Sequence, residues 1–312
     1  MAPPLVSIVI PTRDGAGTLP GLLAAVRRQE APFAFEIVAV DSGSRDATLG
    51  LLRDAGARVL EVPPESFNHG ATRNAAIAEA RGSLVVLLVQ DAVPASDQWL
   101  ARLVAPLRDD PGVAGTYARQ LPRPDASPLT RMYLERWMAA GTEARDAFLS
   151  GPEELAALPP LERYRRCVFD NVCSAVRRSV WERHPFPRTP IAEDVEWART
   201  VLLAGHRLRY VPEAAVVHSH DRSARYELWR TYLVHQRLRA LFGLRTVPTV
   251  GDLARGVAGS AWTHLGVLRR AGEVRPRAVV RALALAAAYP LGQYLGARSA
   301  DTGRALLRPR GV

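Results

Sequence analysis

Asp91 stands alone at the end of an apolar run. The residues before it, LVVLLV at 84–89, are continuously hydrophobic, which is typical of a strand buried on both faces. A carboxylate that follows such a strand emerges at the edge of the sheet, where it can hold a divalent cation bridging two phosphates. Mg²⁺ often needs only one or two protein carboxylates, because phosphate and water complete its shell. Asp91 is therefore a candidate metal ligand, and the alternative is an aspartate that opens the turn Asp-Ala-Val-Pro.

Two histidines follow a second apolar run. The segment VHSH places His218 and His220 two residues apart after AAVV. Side chains at this spacing on an extended chain point to the same side, and a neutral imidazole can complete a metal shell that is short of ligands. Both are candidate metal ligands, and satisfied surface histidines are the alternative.

Two further segments carry groups that suit a nucleotide. Asp41 follows FEIVAV directly, and its carboxylate can accept hydrogen bonds from a base or a ribose, while Gly43 allows close backbone approach. Arg73 and Asn74 open a predicted helix, whose free N–H groups and forked guanidinium suit a diphosphate. The alternatives are a turn-forming aspartate and an exposed, capped helix.

The segment IAEDVEWA at 191–198 places Glu193, Asp194 and Glu196 in the first turn of a predicted helix. Acidic residues at that position complement the helix dipole. The functional alternative makes one of the three carboxylates a general base.

Short apolar runs alternate with helical patterns along the first 120 residues, which predicts a parallel sheet in a doubly wound α/β fold. The predicted strands are VSIVI (6–10), FEIVAV (35–40), ARVLEV (57–62) and residues 83–89, and helices are predicted at 72–80 and 193–204. Ligands of such folds bind at the carboxyl edge of the sheet. The polar runs PTRDGAG, DSGSRD, PPESFNHG and QDAVP follow the strands, so the sequence predicts a binding site there. The Pro- and Arg-rich stretch 121–165 is expected to lie beside it as a surface excursion.

Charge is distributed unevenly along the 312 residues. The apolar fraction of 48% excludes wholesale disorder, and none of the 41 basic residues is a lysine. From Arg222 onward there are 16 arginines against 4 acidic residues, a net charge of +12. This basic region suits an anionic membrane surface, and a solvated helical face or an oligomer contact is the alternative. It lacks a stacking-aromatic or groove-helix signature, so we expect no nucleic-acid partner.

Targeting and redox signals are sparse. No basic stretch precedes a long apolar run at the start of the chain, so no secretory signal is predicted. The apolar stretch 278–292 contains Arg281 and is shorter than the roughly 20 residues of a membrane span, so we expect no crossing. Cys167 and Cys173 lack metal-site spacing and are too few for a disulfide scaffold, which predicts two buried thiols in a reducing cytoplasm.

Taken in order, these motifs resemble those of the family-2 glycosyltransferases, and more narrowly their rhamnosyltransferase-like branch. The resemblance covers about residues 5–240 and rests on SIVIPTRD, VDSGS, FNHGATRN, QDAVP, FDNVCSAV, AEDVEWA and VHSH. It implies a GT-A-type α/β fold, with a mixed, mainly parallel sheet and a C-terminal helical extension. The implied catalytic domain is 1–221, with a nucleotide-sugar half at 1–120 and an acceptor half at 121–221, followed by a basic helical region at 222–312.

The resemblance also implies roles for individual residues. The implied nucleotide-sugar-binding residues are Pro11, Thr12, Asp14, Asp41, Gly43, Arg73, Gln90 and Asp91. Asn171, Glu193 and Trp197 are implied on the acceptor side, and Asp91, His218 and His220 as ligands of Mg²⁺ or Mn²⁺. Asp194 is implied as the general base, with Glu193 or Glu196 as its neighbour. Most members carry Asp-X-Asp where this chain has Gln90-Asp91-Ala92. Gln90 is therefore expected to hydrogen-bond sugar or ribose without charge.

The implied reaction is direct displacement with inversion, from a dTDP- or UDP-linked sugar such as rhamnose to a hydroxyl of a saccharide or polyprenyl-linked saccharide. The alternatives are a transferase for another hexose and a nucleotide-sugar-binding protein without turnover. The expected location is the cytoplasm, with peripheral contact to the inner face of the cell membrane.

Overall fold

Contacts divide the chain into two units in this computed structural model, which describes residues 3–307. The first unit comprises the residues up to 123 together with 137–157 and 166–218. The second comprises 124–136, 158–165 and the residues from 219 onward. Residues 308–312, the end of the basic region predicted at 222–312, lie outside the described part.

Strands are confined to the first unit in the described residues. They are β1 (Val6–Thr12), β2 (Phe35–Asp41), β3 (Arg58–Glu61), β4 (Leu84–Leu88), β5 (Val93–Pro94), β6 (Val113–Leu121), β7 (Arg145–Ala147), β8 (Cys173–Arg177) and β9 (Arg207–Val217). They form one sheet in the order β3-β2-β1-β4-β8-β6-β9-β5, and β7 pairs with β9. The β3-β2-β1-β4 part is parallel, whereas β8 runs antiparallel to both of its neighbours. This mixed sheet confirms the predicted α/β class.

The α-helices occur in both units. They are α1 (Leu19–Arg27), α2 (Thr48–Asp54), α3 (His69–Glu79), α4 (Trp99–Asp109), α5 (Pro128–Glu135), α6 (Pro152–Ala157), α7 (Pro160–Arg166), α8 (Arg178–Trp181), α9 (Glu193–Leu203), α10 (Ala224–Phe242), α11 (Val250–Arg270) and α12 (Pro276–Thr302). Short 3₁₀ turns lie at Pro64–Ser66 and Met138–Ala140.

The continuous apolar runs form the core strands. All five residues of β4 are buried, and β1 and β2 are buried nearly throughout. A strand covered on both faces needs apolar residues at every position, which is why the sequence located these strands within one or two residues. Cys167 and Cys173 are free and buried as predicted, and burial raises the pKa of the Cys167 thiol to about 12.

Three local expectations differ from the structure. The α3 helix begins at His69, because the Asn68 side chain accepts a hydrogen bond from the Ala71 N–H and caps it. Arg73 therefore lies one turn inside the helix rather than at its start. The two histidines of VHSH were expected on an extended strand, but β9 ends at Val217, directly before His218. The excursion at 121–165 is split, because its parts 124–136 and 158–165 group with the helical second unit.

The second unit contains a tightly packed helix pair. Gly292 and Gly296 of α12 lie so close to α10 that an added Cβ would stand 2.8 Å from the Leu228 carbonyl oxygen and 2.3 Å from that of Tyr232, respectively. Small residues four apart let two helix backbones approach in this way. The helix has 27 residues and is therefore longer than the apolar stretch 278–292 on which the expectation of no crossing rested. By length and composition alone, α12 is able to cross a membrane, although about a third of its most apolar stretch is buried within the protein.

This close approach makes α12 sensitive to a single methyl group. We expect Gly296→Ala to lower the free energy of unfolding by about 1–3 kcal/mol, because backbone atoms of α10 must move to admit the methyl group. The matched control is Gly259→Ala in α11, where an added Cβ meets nothing within 4 Å. Alanine there should stabilise by up to about 1 kcal/mol through helix propensity. Denaturant unfolding of both variants is the measurement, and equal effects would contradict the packing.

Candidate active site

The loops after β1 and β2 are joined to each other at the carboxyl edge of the sheet. Thr12 donates its hydroxyl to the Asp41 carboxylate at 3.1 Å. Asp14 accepts the Arg45 N–H at 2.8 Å, and its own N–H is donated to the Ser44 hydroxyl at 2.8 Å. The predicted residues Pro11, Thr12, Asp14 and Asp41 are therefore brought together. Parallel strands end at the same edge, so the sequence order of these motifs was sufficient to predict their proximity.

Asp41 is a turn-forming residue in this structure. It is 1% exposed, and one carboxylate oxygen accepts the N–H groups of Gly43 and Ser44 at 3.0 and 2.8 Å. The other oxygen accepts the hydroxyls of Ser44 and Thr12. Gly43 has φ +81, a left-handed conformation that favours glycine. The carboxylate thus forms the turn that the alternative describes, and its binding of a base or ribose stays a prediction.

The Gln90 side chain forms hydrogen bonds with the backbone of Arg13. Its side-chain oxygen accepts the Arg13 N–H at 2.9 Å, and its NH₂ group donates to the Arg13 carbonyl at 3.0 Å. Both polar ends of the amide are used in tying the residue after β4 to the loop after β1. Gln90 therefore holds that loop, and its contact with sugar or ribose stays a prediction.

Asp91 and His218 of the predicted cluster lie together, and each offers one ligand atom. His218 Nε2 is 3.7 Å from Asp91 Oδ1, and both side chains are mostly buried. His218 and Asp91 belong to the first unit, and the division between the units falls directly after His218. His218 comes together with Asp91 because β9 ends at Val217, beside β5, which begins two residues after Asp91.

A hydrogen-bond chain orients the His218 ring. The Asp170 carboxylate accepts from Gln120 Nε2 at 2.6 Å and from Trp137 Nε1 at 2.9 Å. Gln120 therefore turns its oxygen toward His218 Nδ1, at 2.9 Å. Since an amide oxygen only accepts, Nδ1 carries a proton, and Nε2 is the ring nitrogen that lies toward the Asp91 carboxylate. A neutral ring in this orientation would offer Nε2 to a cation beside Asp91.

Arg73 is held inside the protein. It is 6% exposed, and Nη1 donates to Glu193 at 3.0 Å and to the His69 carbonyl at 3.1 Å. Nη2 lies 3.5 Å from the Asn171 carbonyl. The forked contact with a diphosphate needs both nitrogens of one guanidinium edge at an open surface, and here these nitrogens face buried acceptors. Arg73 thus pairs with the neighbour of the predicted base.

Asp194 has an unusual electrostatic environment. Burial of its carboxylate, with the charges of Glu193 and Asp170, raises its pKa to about 8. The N–H groups of Val195 and Asn171 donate to it at 2.8 and 3.3 Å and oppose this rise. Part of the residue remains accessible to solvent. A carboxyl group with a pKa near the working pH is suited to accepting a proton.

Glu193 stays ionised beside it. Burial would raise its pKa, but Arg73, His69 and the Asn171 amide together hold the pKa below its usual value. Burial also lowers the pKa of His69, and Arg73 adds to this, so that the neutral ring is favoured against the opposing charge of Glu193. The two adjacent carboxyl groups are therefore shifted in opposite directions, a pattern that separates a charged neighbour from a proton acceptor.

Two predicted acceptor-side residues are buried. The prediction for Trp197 is wrong, because its side chain is 0% exposed, packs against Phe169 and Phe186, and donates Nε1 to the His184 carbonyl at 2.7 Å. Asn171 is 2% exposed and donates its amide to Glu193 at 3.3 Å, so it holds the acidic pair rather than lining an open surface.

The segment Asp170–Asn171 connects the two clusters. Asp170 is linked through Gln120 to His218, and Asn171 donates its backbone N–H to Asp194. The residues after them form β8, whose Cys173 pairs with Leu88 at the end of β4. His218 and Asp194 are therefore both linked to this one short segment.

Sequence reasoning missed Gln120, Asp170 and Trp137. A single glutamine in β6 carries no pattern, and Asp170 gave no signal beyond its place in the motif FDNVCSAV.

The sequence also gave no sign of backbone strain. Among the described residues, only Asp14 and Ala192 have positive φ without being glycine, at 44° and 61°. Asp14 lies in the loop after β1, and Ala192 immediately precedes Glu193. Strained backbone of this kind concentrates at functional sites.

The chain is similar in sequence to known proteins. The model of the family "Glycosyl transferase family 2" matches residues 7–173. The chain is 31% identical over 233 residues to the O-antigen chain rhamnosyltransferase RfbN of Salmonella typhimurium, covering 73% of this chain and 70% of that protein. It is 34% identical over 200 residues to the O-antigen chain rhamnosyltransferase WbaN of Salmonella anatum, covering 63% and 60%.

A solved structure shares the fold. The mannosyltransferase PcManGT from Pyrobaculum calidifontis, in complex with GDP-Man and Mn²⁺, matches with a TM-score of 0.60 and 21% identity. The match covers 93% of this chain and 88% of that one. At this identity the likeness concerns the arrangement of strands and helices, and it is consistent with the GT-A type of sheet.

Proposed function

This chain belongs to glycosyl transferase family 2 and is a glycosyltransferase with a GT-A fold, and we propose that its donor sugar is rhamnose, carried on a nucleoside diphosphate. The transfer inverts the anomeric carbon. The deoxyhexose is supported by the similarity to RfbN and WbaN, both rhamnosyltransferases of O-antigen chains, and we propose dTDP or UDP as its carrier. The observation that carries the chemistry is Asp194, with its pKa raised to about 8 beside an ionised Glu193.

Asp194 acts as the general base in the mechanism that we propose. As the acceptor oxygen forms its bond to the anomeric carbon, the bond to the diphosphate breaks and the hydroxyl proton passes to the Asp194 carboxylate. Glu193 stays charged, so it stabilises the proton on its neighbour. Arg73 and Asn171 position Glu193 from the buried side. A positioned base of this kind contributes roughly 10²- to 10⁴-fold to the rate.

The residues Asp91, His218 and His220 fit a divalent metal. A bound metal would neutralise the charge that develops on the leaving diphosphate. Carboxylate is common to Mg²⁺ and Mn²⁺ sites, whereas imidazole is a ligand of transition metals more than of Mg²⁺. We therefore expect Mn²⁺ to support turnover at lower concentration than Mg²⁺ does.

The acceptor that we propose is a saccharide hydroxyl, on a polyprenyl-linked chain held at the inner face of the cell membrane. The basic character of the region from Arg222 onward supports it, because arginine near an anionic bilayer contributes about 1 kcal/mol per residue.

A donor panel tests the proposal. The protein is incubated with dTDP-, UDP- and GDP-linked sugars, with Mn²⁺, Mg²⁺ or a chelator, and donor hydrolysis and thermal shift are measured. We expect dTDP- or UDP-linked rhamnose to give the largest signals. Asp91→Asn should lose the metal-dependent part of both signals, and Asp109→Asn, at an exposed acid of α4, should leave them unchanged. A thermal shift without hydrolysis or transfer for any donor would instead support a binding protein without turnover.

Gln120 allows a sharper test of the metal site. Gln120→Leu removes the acceptor that holds His218 in its Nδ1–H form, and residues that orient a metal-binding histidine typically contribute 10- to 100-fold to metal affinity. We expect the Mn²⁺ concentration for half-maximal activity to rise by about that factor, with the rate at saturating Mn²⁺ changed less. Gln98→Leu, which removes only an exposed contact with Arg102, is the control.

A further inference from the structure

The hairpin of α11 and α12 exposes large apolar side chains. Trp262 is 84% exposed, Val280 67%, Val274 61% and Leu283 44%, and Leu265 is also exposed. The His264 ring contacts the Ala282 carbonyl at 2.8 Å, which places Trp262 and Leu265 at the same level of the hairpin as Val280 and Leu283. We call residues 262–283 the hairpin tip. Several exposed apolar residues in one short segment mark a contact surface.

The hairpin tip is also strongly basic. It contains five arginines and one acidic residue, Glu273. Among the described residues, Arg269, Arg270, Arg275 and Arg277 make no ion pair with a carboxylate, whereas Arg281 pairs with Asp221 at 3.0 Å. The four arginines are exposed and lie in the last turn of α11, in the turn between the helices and at the start of α12. Their charge is thus not neutralised within the protein.

The combination points to one kind of partner. We propose that the hairpin tip docks on an anionic lipid surface, with Trp262, Val280 and Leu283 entering the interfacial layer and the arginines contacting lipid phosphates. Tryptophan with one polar edge suits that layer, and guanidinium groups bind phosphate in pairs of hydrogen bonds. A nucleic acid would use the arginines but has no use for exposed valine and leucine. This inference deepens the membrane part of the proposed function and assigns it to named residues.

Burial elsewhere in α12 is consistent with docking by the tip alone. The second half of the helix packs on α10 through Gly292 and Gly296, whereas the exposed apolar residues lie in its first half. An amphipathic segment of this kind lies in the interface and does not need to cross the bilayer.

Vesicle co-sedimentation tests the inference on the full chain. We expect binding to phosphatidylglycerol-containing vesicles, weak binding to pure phosphatidylcholine, and loss of binding as salt rises. Replacing the four free arginines by glutamine should reduce the partition coefficient by a factor between about 5 and several hundred. Arg28→Gln with Arg53→Gln, at two exposed arginines of the first unit, should leave the partition coefficient unchanged.

Tryptophan fluorescence tests the apolar part of the contact. Trp262→Ser should abolish a vesicle-induced blue shift of tryptophan fluorescence, and Phe148→Ser, at a 46% exposed aromatic residue, should keep it.

Several results would overturn the proposal. The proposal is overturned if the unaltered protein binds neutral and anionic vesicles equally in low salt, whatever the variants show. A dimer in solution that Trp262→Ser converts to a monomer without any vesicle binding would also overturn it, as would retention on duplex DNA in place of lipid. Resistance of the membrane-bound protein to alkaline extraction would indicate a spanning helix instead. None of these readouts requires turnover, so a failed donor panel and a failed docking test are separate outcomes.

Discussion

Asp194→Asn should lower the turnover number by roughly 10²- to 10⁴-fold while leaving donor affinity nearly unchanged. Asparagine keeps the shape, and its single oxygen can still accept one of the two N–H groups, that of Val195 or that of Asn171, but it cannot take a proton from the acceptor hydroxyl. Single-turnover rates and donor binding by calorimetry separate the two effects. A variant that keeps more than a tenth of the rate would show that another group accepts the proton.

The pH dependence of the reaction has a definite sign. Burial and the charges of Glu193 and Asp170 raise the pKa of Asp194 to about 8, so the protonated, inactive form dominates below that pH in the free enzyme. We therefore expect kcat/KM of the unaltered protein to rise with pH up to about 8, and the residual activity of Asp194→Asn to lack that limb. A flat profile between acid pH and pH 9 would contradict the role of Asp194.

The stability of the unaltered protein should fall over the pH range in which its activity rises. A carboxyl group whose folded-state pKa lies above its unfolded value contributes stability that is fully present below the unfolded pKa and lost as pH rises through the folded pKa. For Asp194 the loss occurs between about pH 4 and pH 8. We therefore expect Asp194→Asn to raise Tm at pH 8, with the difference from the unaltered protein shrinking toward pH 4. Asp109→Asn, at an exposed acid, should show no such trend.

The sequence was informative where burial dictates residue type. The strand runs before Thr12, Asp41 and Asp91 are apolar at consecutive positions because both sheet faces are covered, and the polar residues that follow them lie at one edge because the strands are parallel. The histidines after β9 were located by their spacing alone. These features depend on local composition and on the direction of the strands, both of which can be deduced from the chain.

The sequence was uninformative about hydrogen-bond partners. Gln90 finds its partner 77 residues away in Arg13, and Arg73 finds Glu193 120 residues away, so no local pattern distinguishes a ligand contact from a protein contact. Trp197 presented the same difficulty, because a tryptophan in a helix is equally compatible with the core and with a sugar-binding face. The polar groups predicted to touch donor or acceptor are in large part the ones that hold the site loops and the acidic pair in place.

Breaking the buried pair of Arg73 and Glu193 should destabilise the protein more than breaking an exposed ion pair of the same unit. Both side chains are 7% exposed and 3.0 Å apart. Arg73→Met leaves Glu193 charged, buried and without its cation, which typically costs about 3–5 kcal/mol of unfolding free energy. The control is Arg53→Met in the exposed pair with Glu61, at 2.9 Å, where we expect at most about 1 kcal/mol. Denaturant unfolding of both variants at neutral pH is the measurement, and equal losses would contradict the prediction.

The pH dependence of the unfolding free energy lost in Arg73→Met identifies the unpaired charge of Glu193 as the cause of the loss. Arg73 and His69 hold the pKa of Glu193 below its usual value despite burial, so the stability it contributes is present above its unfolded pKa and lost as pH falls through the folded one. Without Arg73, Glu193 becomes protonated at higher pH, and the cost of Arg73→Met should shrink as the pH is lowered. The double variant Arg73→Met/Glu193→Gln, which has no unpaired charge, should recover part of the loss at neutral pH. A double variant as unstable as the sum of its single variants would mean that Arg73 stabilises the site through its packing and not through its charge.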